Sequence, residues 1–240
     1  IIKDLTIKNF QFGIKSVDTD GLTVSGVTVD SVGTAMHIEG DPSNILADCP
    51  SCGGGYGALF PATEITGNTV KNSDTGIRLF DLISATWLDC YDNDGGVFVK
   101  SNTVQNIGNT GIGLSNSDGA CVKDNTIEDS TNSIAVTNTS HYVIIKNNVI
   151  TDSTSAAIYL QGAERIHIKG NTITGDSEYG GLIRDEGNSP NFQIYDNSFQ
   201  GMKCNNSDNG RIVGNTISDY DYNGAAGIFF AYCDHLVVSD

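Results

Sequence analysis

Cationic side chains are scarce in this chain. Its 240 residues hold 13 Lys and Arg against 29 Asp and Glu, a formal net charge of -16 at pH 7. A nucleic-acid partner requires a cationic surface, so that class is excluded, and docking on anionic membranes is disfavoured for the same reason. Long apolar runs are also missing. None approaches the ~20 residues of a membrane span, so no membrane insertion is expected. No Ala/Glu/Lys/Leu-rich helical periodicity appears, which speaks against a helical bundle. The hydrophobic content of 38% is too high and too regularly placed for a disordered chain.

The regularity is a repeat. Asn102-Thr103-Val104, Asn125-Thr126-Ile127, Asn148-Val149-Ile150 and Asn171-Thr172-Ile173 are spaced by 23 residues each time. The series runs back to Asn68-Thr69-Val70 and forward to Asn197-Ser198-Phe199 and Asn215-Thr216-Ile217. Two degenerate copies, Leu5-Thr6-Ile7 and Val27-Thr28-Val29, precede it. Nine anchors therefore cover residues 1–240 and leave no room for a second domain. Each repeat carries three short segments of period two: one before the Asn, one after it, and one of the form Gly-apolar-x-apolar, as in Gly76-Ile77-Arg78-Leu79. Period two means strand, with the apolar members inward. Three strands per ~23 residues is the signature of a parallel β-helix. The predicted fold is all-β, a single-stranded right-handed parallel β-helix (solenoid) of about nine coils. Val29, Val70, Val104, Ile127, Ile150, Ile173, Phe199 and Ile217 should form one inward column. The Asn residues should form a ladder of stacked amides at a tight corner, where Asn tolerates left-handed backbone.

These features resemble the pectin-lyase-like right-handed parallel β-helix proteins. The resemblance covers the full chain and concerns architecture. It implies that the segment before each Asn is the second sheet, the segment after it the third, and the Gly-apolar-x-apolar segment the first. It also implies a substrate groove along the first sheet, walled by loops leaving the corner after that sheet. The Asp-Pro-His motif of mannuronan epimerases is absent, because Asp41-Pro42 is followed by Ser43. The Asn-x-Asp, Asp-Asp and Gly-His-Gly motifs of polygalacturonases are absent too.

The repeat breaks twice. Insertions fall at 41–61 and 81–95, both after a first-sheet strand, and on adjacent coils they should touch. Long loops on a rigid scaffold concentrate binding residues. The outward positions of the first sheet read Lys15, His37, Arg78, Gly113, Ala135 and Tyr159, then a poorly registered coil near 183–185, then Phe229. Two residues further on come Glu39, Phe80, Ser115, Thr137 and Gln161. The candidate catalytic residues are His37, Arg78, Glu39, Asp81 and Tyr159. The candidate substrate-binding residues are Lys15, Asp41, Trp87, Tyr56 and Gln161. A cation, an imidazole, carboxylates and aromatic rings beside two long loops suit a polysaccharide.

Two chemistries fit. In β-elimination, Arg78 or Lys15 neutralises a uronate carboxylate and His37 or Tyr159 takes the C5 proton; reprotonation instead gives an epimerase. In hydrolysis, two of Glu39, Asp41, Asp81 and Asp185 act as acid and base. The rival reading is a structural or adhesive β-helix without catalysis, part of a surface or a filament.

The remaining features are weaker. Lys100, Lys123, Lys146 and Lys169 share an outward column of the second sheet, expected to be a solvated face. The parallel column Phe98, Cys121, Ile144 and His167 is apolar enough to suggest a covering segment or a subunit contact. Six Cys suit an oxidising compartment, and the expected location is secreted or cell surface. Cys49 and Cys52 suggest a loop disulfide, with Cys90 a further partner, and Cys204 can reach Cys233 on the adjacent coil. The acidic run Asp89–Asp94 offers oxygen ligands that suit Ca²⁺. No other metal is assigned. The chain starts at Ile1 without Met and neither end carries a capping helix, so a fragment of a longer chain, a homo-oligomer or an end-to-end filament is expected.

Overall fold

The computed structural model describes residues 1–19, 21–40, 63–82, 96–175, 181–218 and 227–240. Every strand pair among them is parallel, and each strand pairs with its counterpart one coil away. The second sheet has ten strands in sequence order, from Ile2–Lys3 to Val237–Ser239. The third runs from Thr6–Lys8 to Thr216–Ile217, and the first from Phe12–Ser16 to Ile228–Ala231. In two coils the strand continues round the corner between the third and first sheets, over Thr103–Ser115 and Thr126–Thr137. The chain is a parallel β-helix.

The predicted inward column stacks in register. Val29 pairs with Val70, Val70 with Val104, Val104 with Ile127, Ile127 with Ile150 and Ile150 with Ile173. All are 0–1% exposed. Fully burying one such side chain contributes roughly 1.5–3 kcal/mol. The two degenerate anchors hold the same register, Ile7 against Val29. Where a first-sheet strand begins with glycine, the next coil's backbone leaves no room for a Cβ, while Ala35, Ser133 and Ala157 occupy the equivalent place on other coils. A Cβ on Gly76 would lie 2.1 Å from the Gly111 carbonyl oxygen, and one on Gly111 2.7 Å from that of Ser133.

Seven Asn side chains form the ladder. Asn125 is typical: its Nδ2 donates to Asn148 Oδ1 (3.0 Å) and to the Val99 carbonyl (2.9 Å), while its backbone N–H also donates to Asn148 Oδ1 (3.0 Å). One carboxamide thus satisfies the corner of its own coil and of its neighbour. The left-handed backbone does not fall on the ladder residues themselves. It falls one position earlier, on Gly67, Ser101, Asp124, Asn147, Gly170, Asp196 and Gly214. The ladder Asn is needed for its side-chain donors and acceptor, and the preceding residue absorbs the turn.

A second polar ladder occupies the corner between the first and second sheets. Ser117 N–H donates to Ser140 Oγ (3.1 Å), Ala163 N–H to Ser189 Oγ (3.3 Å) and Ser189 N–H to Ser207 Oγ (2.9 Å). All five residues are buried. On the next coil Cys233 is bonded to Cys204 as a disulfide, the pairing expected from adjacency. Cys121 is also disulfide-bonded. Cys49, Cys52 and Cys90 lie outside the described residues, as does most of both insertions.

Candidate functional site

The outward column of the first sheet is assembled as the alternation requires. Lys15 pairs with His37, His37 with Arg78, Arg78 with Gly113, Gly113 with Ala135 and Ala135 with Tyr159. Beyond Tyr159 the column continues through Arg184 and Lys203 to Phe229. The parallel column runs Glu39, Phe80, Ser115, Thr137, Gln161. Neighbouring strands lie ~4.8 Å apart.

At the N-terminal end these side chains interlock. The His37 ring lies between Phe12 (centroids 6.1 Å, edge-on) and Phe80 (5.3 Å, tilted). Lys15 Nζ sits 5.2 Å from the Phe12 centroid, and the Arg78 guanidinium 4.5 Å from that of Phe80. His37 Nε2 is 3.3 Å from Glu39 Oε2. An ionised carboxylate only accepts hydrogen bonds, so in the neutral imidazole Nε2 carries the proton and Nδ1 keeps the lone pair. The patch therefore offers a basic nitrogen, two cations and two aromatic faces. Phe12 and Phe80 complete the patch: Phe80 alternates outward two residues beyond Arg78, as expected, whereas Phe12 is paired with Thr34, three positions before His37, so the alternation carries no signal for it.

Asp81 lies at the base of the second insertion, in left-handed backbone, and its carboxylate accepts from Asn116 Nδ2. The bases of the two insertions stack, because Gly40 N–H donates to the Phe80 carbonyl (2.9 Å). Asp41, Tyr56 and Trp87 lie outside the described residues, as does the acidic run 89–94. Tyr159 is three strands from Arg78, about 14 Å at the inter-strand spacing, and does not join the His37 cluster. Gln161 is exposed beside it.

Tyr159 belongs instead to a second polar group. Glu186 accepts from Arg184 Nε and from Lys203 Nζ (3.4 Å). Burial acts to raise the Glu186 carboxyl, but the Arg184 hydrogen bond and charge and then Lys203 hold it below the ordinary value. Burial, then the Glu186 charge, pushes the Tyr159 phenol up. Between the two polar groups, Gly113 and Ala135 leave a floor without long side chains. Asp185 corrects the hydrolytic reading. It points inward, is 0% exposed, and burial raises its carboxyl above the ordinary value. It cannot face substrate in the groove.

The four lysines of the second sheet stack as expected: Lys100 on Lys123, Lys123 on Lys146, Lys146 on Lys169. Lys169 pairs with Asp196 (3.7 Å). In the neighbouring column Phe98 and Cys121 are 4% and 3% exposed, so this part of the sheet is covered. His141 is held between Asp118 (Nδ1 to Oδ1, 3.0 Å) and Glu164 (Nε2 to Oε2, 3.8 Å). Among the described residues, no group of three or more His, Cys, Asp or Glu is placed to hold a metal ion.

Comparison with known proteins gives two findings. The profile of a family described as NosD, periplasmic copper-binding protein, matches residues 88–203. Among solved structures, a double mutant of the periplasmic alginate epimerase AlgG is similar at 11% identity, over 97% of this chain and 73% of that one, with a TM-score of 0.28. No curated protein sequence matches the chain.

Proposed function

We propose that this chain is an extracytoplasmic β-helix protein that takes a polysaccharide along the outward face of its first sheet and acts on uronate residues by proton abstraction. The observation that carries the reading is the interlocked patch of Lys15, Phe12, His37, Phe80 and Arg78. Aromatic faces suit the apolar face of a sugar ring, and the cations suit its carboxylate. Arg78 would neutralise the carboxylate and so acidify the C5 proton, while His37 Nδ1 would accept it, with Glu39 fixing the tautomer. Loss of the C4 substituent then completes an elimination. Return of a proton to the opposite face completes an epimerisation. Hydrolysis is less favoured, because of its four candidate carboxylates Asp185 is buried in the core, Asp81 is engaged by Asn116 and Glu39 is tied to His37. Disulfides support an oxidising compartment such as the periplasm or the cell exterior. Among the described residues no helix is long and apolar enough to cross a membrane.

Copper, which the NosD description names, does not suit the described residues. Cu(I) favours thiolate and thioether ligands. Here Cys204, Cys233 and Cys121 are disulfide-bonded, and Met36 and Met202 are buried in the core.

The test is incubation with a panel of uronate and neutral polysaccharides in D₂O. Unsaturated-uronate absorbance, reducing ends and deuterium uptake are followed together. Absorbance or deuterium uptake that disappears in both His37→Ala and Arg78→Ala is the expected result. Reducing ends without either signal would replace the mechanism by hydrolysis. Silence across the panel, with concentration-dependent sedimentation, would favour the structural role.

A further inference from the structure

The outward face of the first sheet carries two clusters of long side chains with a gap between them. One is the His37 patch, which ends at Arg78. The other occupies three rungs in register, Tyr159 on Arg184 and Arg184 on Lys203. Gly113 and Ala135 fill the rungs between Arg78 and Tyr159. Arg184 therefore stands four strand spacings from Arg78, roughly 19 Å along the stack. All these positions are outward by strand parity, as their counterparts are on every coil.

The second cluster is built from hydrogen-bond donors. Glu186 accepts from Arg184 Nε and from Lys203 Nζ (3.4 Å), and so holds the two cations side by side on adjacent strands. An ammonium has three N–H donors. Glu186 is the only partner of the Lys203 ammonium among the described residues, so further donors remain for a ligand. The Tyr159 phenol adds an O–H, and burial with the Glu186 charge favours its protonated form. The Arg184 and Lys203 side chains are only 27% and 36% exposed, so an anion bound there is partly desolvated and held more strongly than on an open surface. The net charge of -16 repels anions at long range, and binding one takes a local donor group of this kind.

We infer, resting on the uronate reading of the His37 patch, that Tyr159, Arg184 and Lys203 form a second carboxylate-binding site, and that the groove takes a run of consecutive uronate residues long enough to reach from Arg78 to it. An extended chain of linked pyranoses advances by about one inter-strand spacing per residue, so a chain lying along the stack places one sugar on each rung. With one carboxylate at Arg78, the carboxylate four residues further on meets Arg184 and Lys203. The sugars between them cross Gly113 and Ala135, where no long side chain stands in the way, beside Ser115 and Thr137. An oligomer too short to bridge the two points makes only one of the contacts. So does a chain whose uronates are isolated among neutral sugars. Once both points are bridged, the second contact is intramolecular, and affinity rises in a step rather than by equal increments per residue.

The test is calorimetric titration of the full chain with homo-oligomers of galacturonate and of mannuronate, from the dimer to the octamer. Affinity should step up by about tenfold or more between the trimer and the hexamer in the series that binds. Lys203→Gln and Tyr159→Phe both leave Arg184 on Glu186, and each should cut the step to about threefold or less. A methyl-esterified hexamer should bind wild type no more tightly than the esterified trimer, which checks the carboxylates without altering the protein. A smooth rise with length, or a step that survives intact in both variants, overturns the second site and leaves the His37 patch standing. Binding that is indifferent to Arg78→Gln at every length, or no binding by either series, overturns the uronate reading and the second site with it.

Discussion

Replacement of Asn148 by Ala isolates what the ladder contributes. Asn148 sits mid-ladder and is 0% exposed. Its Nδ2 donates to the Val122 carbonyl and to Asn171 Oδ1, both at 3.0 Å. Its Oδ1 accepts from the Asn125 backbone N–H and from Asn125 Nδ2, also both at 3.0 Å. Asn148→Ala therefore strands two donors on Asn125 inside the solenoid. A buried polar group left unpaired costs roughly 1–3 kcal/mol, so the loss should be about 3–5 kcal/mol, reduced where water enters the void. That is a large share of the ~5–15 kcal/mol that holds a domain together. Asn215 makes the same contacts to Asn197 but is only partly buried, so water can replace its carboxamide. Asn215→Ala should cost no more than about 1 kcal/mol. Urea unfolding of both variants gives the comparison, and hydrogen exchange should show lost protection centred on Asn125. A solenoid can unfold in segments, so the exchange data also locate the weakened coil. Equal losses in the two variants, or less than about 1 kcal/mol at Asn148, would mean that the strand ladders alone hold the corner.

Two further outcomes follow from charges. The Asp185 carboxyl titrates above its ordinary value when folded, so over that interval the folded chain keeps a proton that the unfolded chain has released. Stability should fall as pH rises from the ordinary carboxylate value to the raised one, and Asp185→Leu should remove that slope from the pH dependence of the urea midpoint. On the second sheet, Lys146 lies directly opposite Lys123 and Lys169. Lys146→Gln should raise stability by a few tenths of a kcal/mol at low ionic strength, with the gain vanishing in high salt, as paired thermal melts would show.

The architecture was legible because the same local signal recurs in every coil. Seven Asn in register, each followed by an apolar inward residue, define the strand boundaries many times over. A weak coil such as Leu5-Thr6-Ile7 is then placed by its neighbours. Sequence could not separate two roles at that corner. Asn was credited with the left-handed turn, but Asp124 and Ser101 take it, and Gly67 and Gly170 where no side chain intervenes. The serine ladder was missed because Ser is common and its context varies, with an acidic residue after Ser117, Ser207 and Cys233 but His141 after Ser140 and Pro190 after Ser189.

The groove was legible only where coil length is constant. From Asn102 to Asn171 the spacing is 23 throughout, and before it both insertions follow the first-sheet strand, so the outward column could be written down and Lys15, His37 and Arg78 stack as written. Later, the spacing between ladder residues becomes 26 and then 18. Fixed spacing then fails, and Arg184 and Lys203 drop out of view. Parity would have kept them, since Ile183-Arg184-Asp185 and Met202-Lys203-Cys204 each place an apolar residue before the cation. The same parity forces Asp185 inward. Ile183 and Asp185 share one face of the strand, and turning the carboxyl to solvent would turn Ile183 out and Arg184 in. Burying one carboxyl with three hydrogen-bond donors costs less than exposing the Ile and burying a guanidinium without partners. A polar residue on the inward face of a regular strand is thus held there by its neighbours. In this chain it is held 3.8 Å from the Cys204 sulfur.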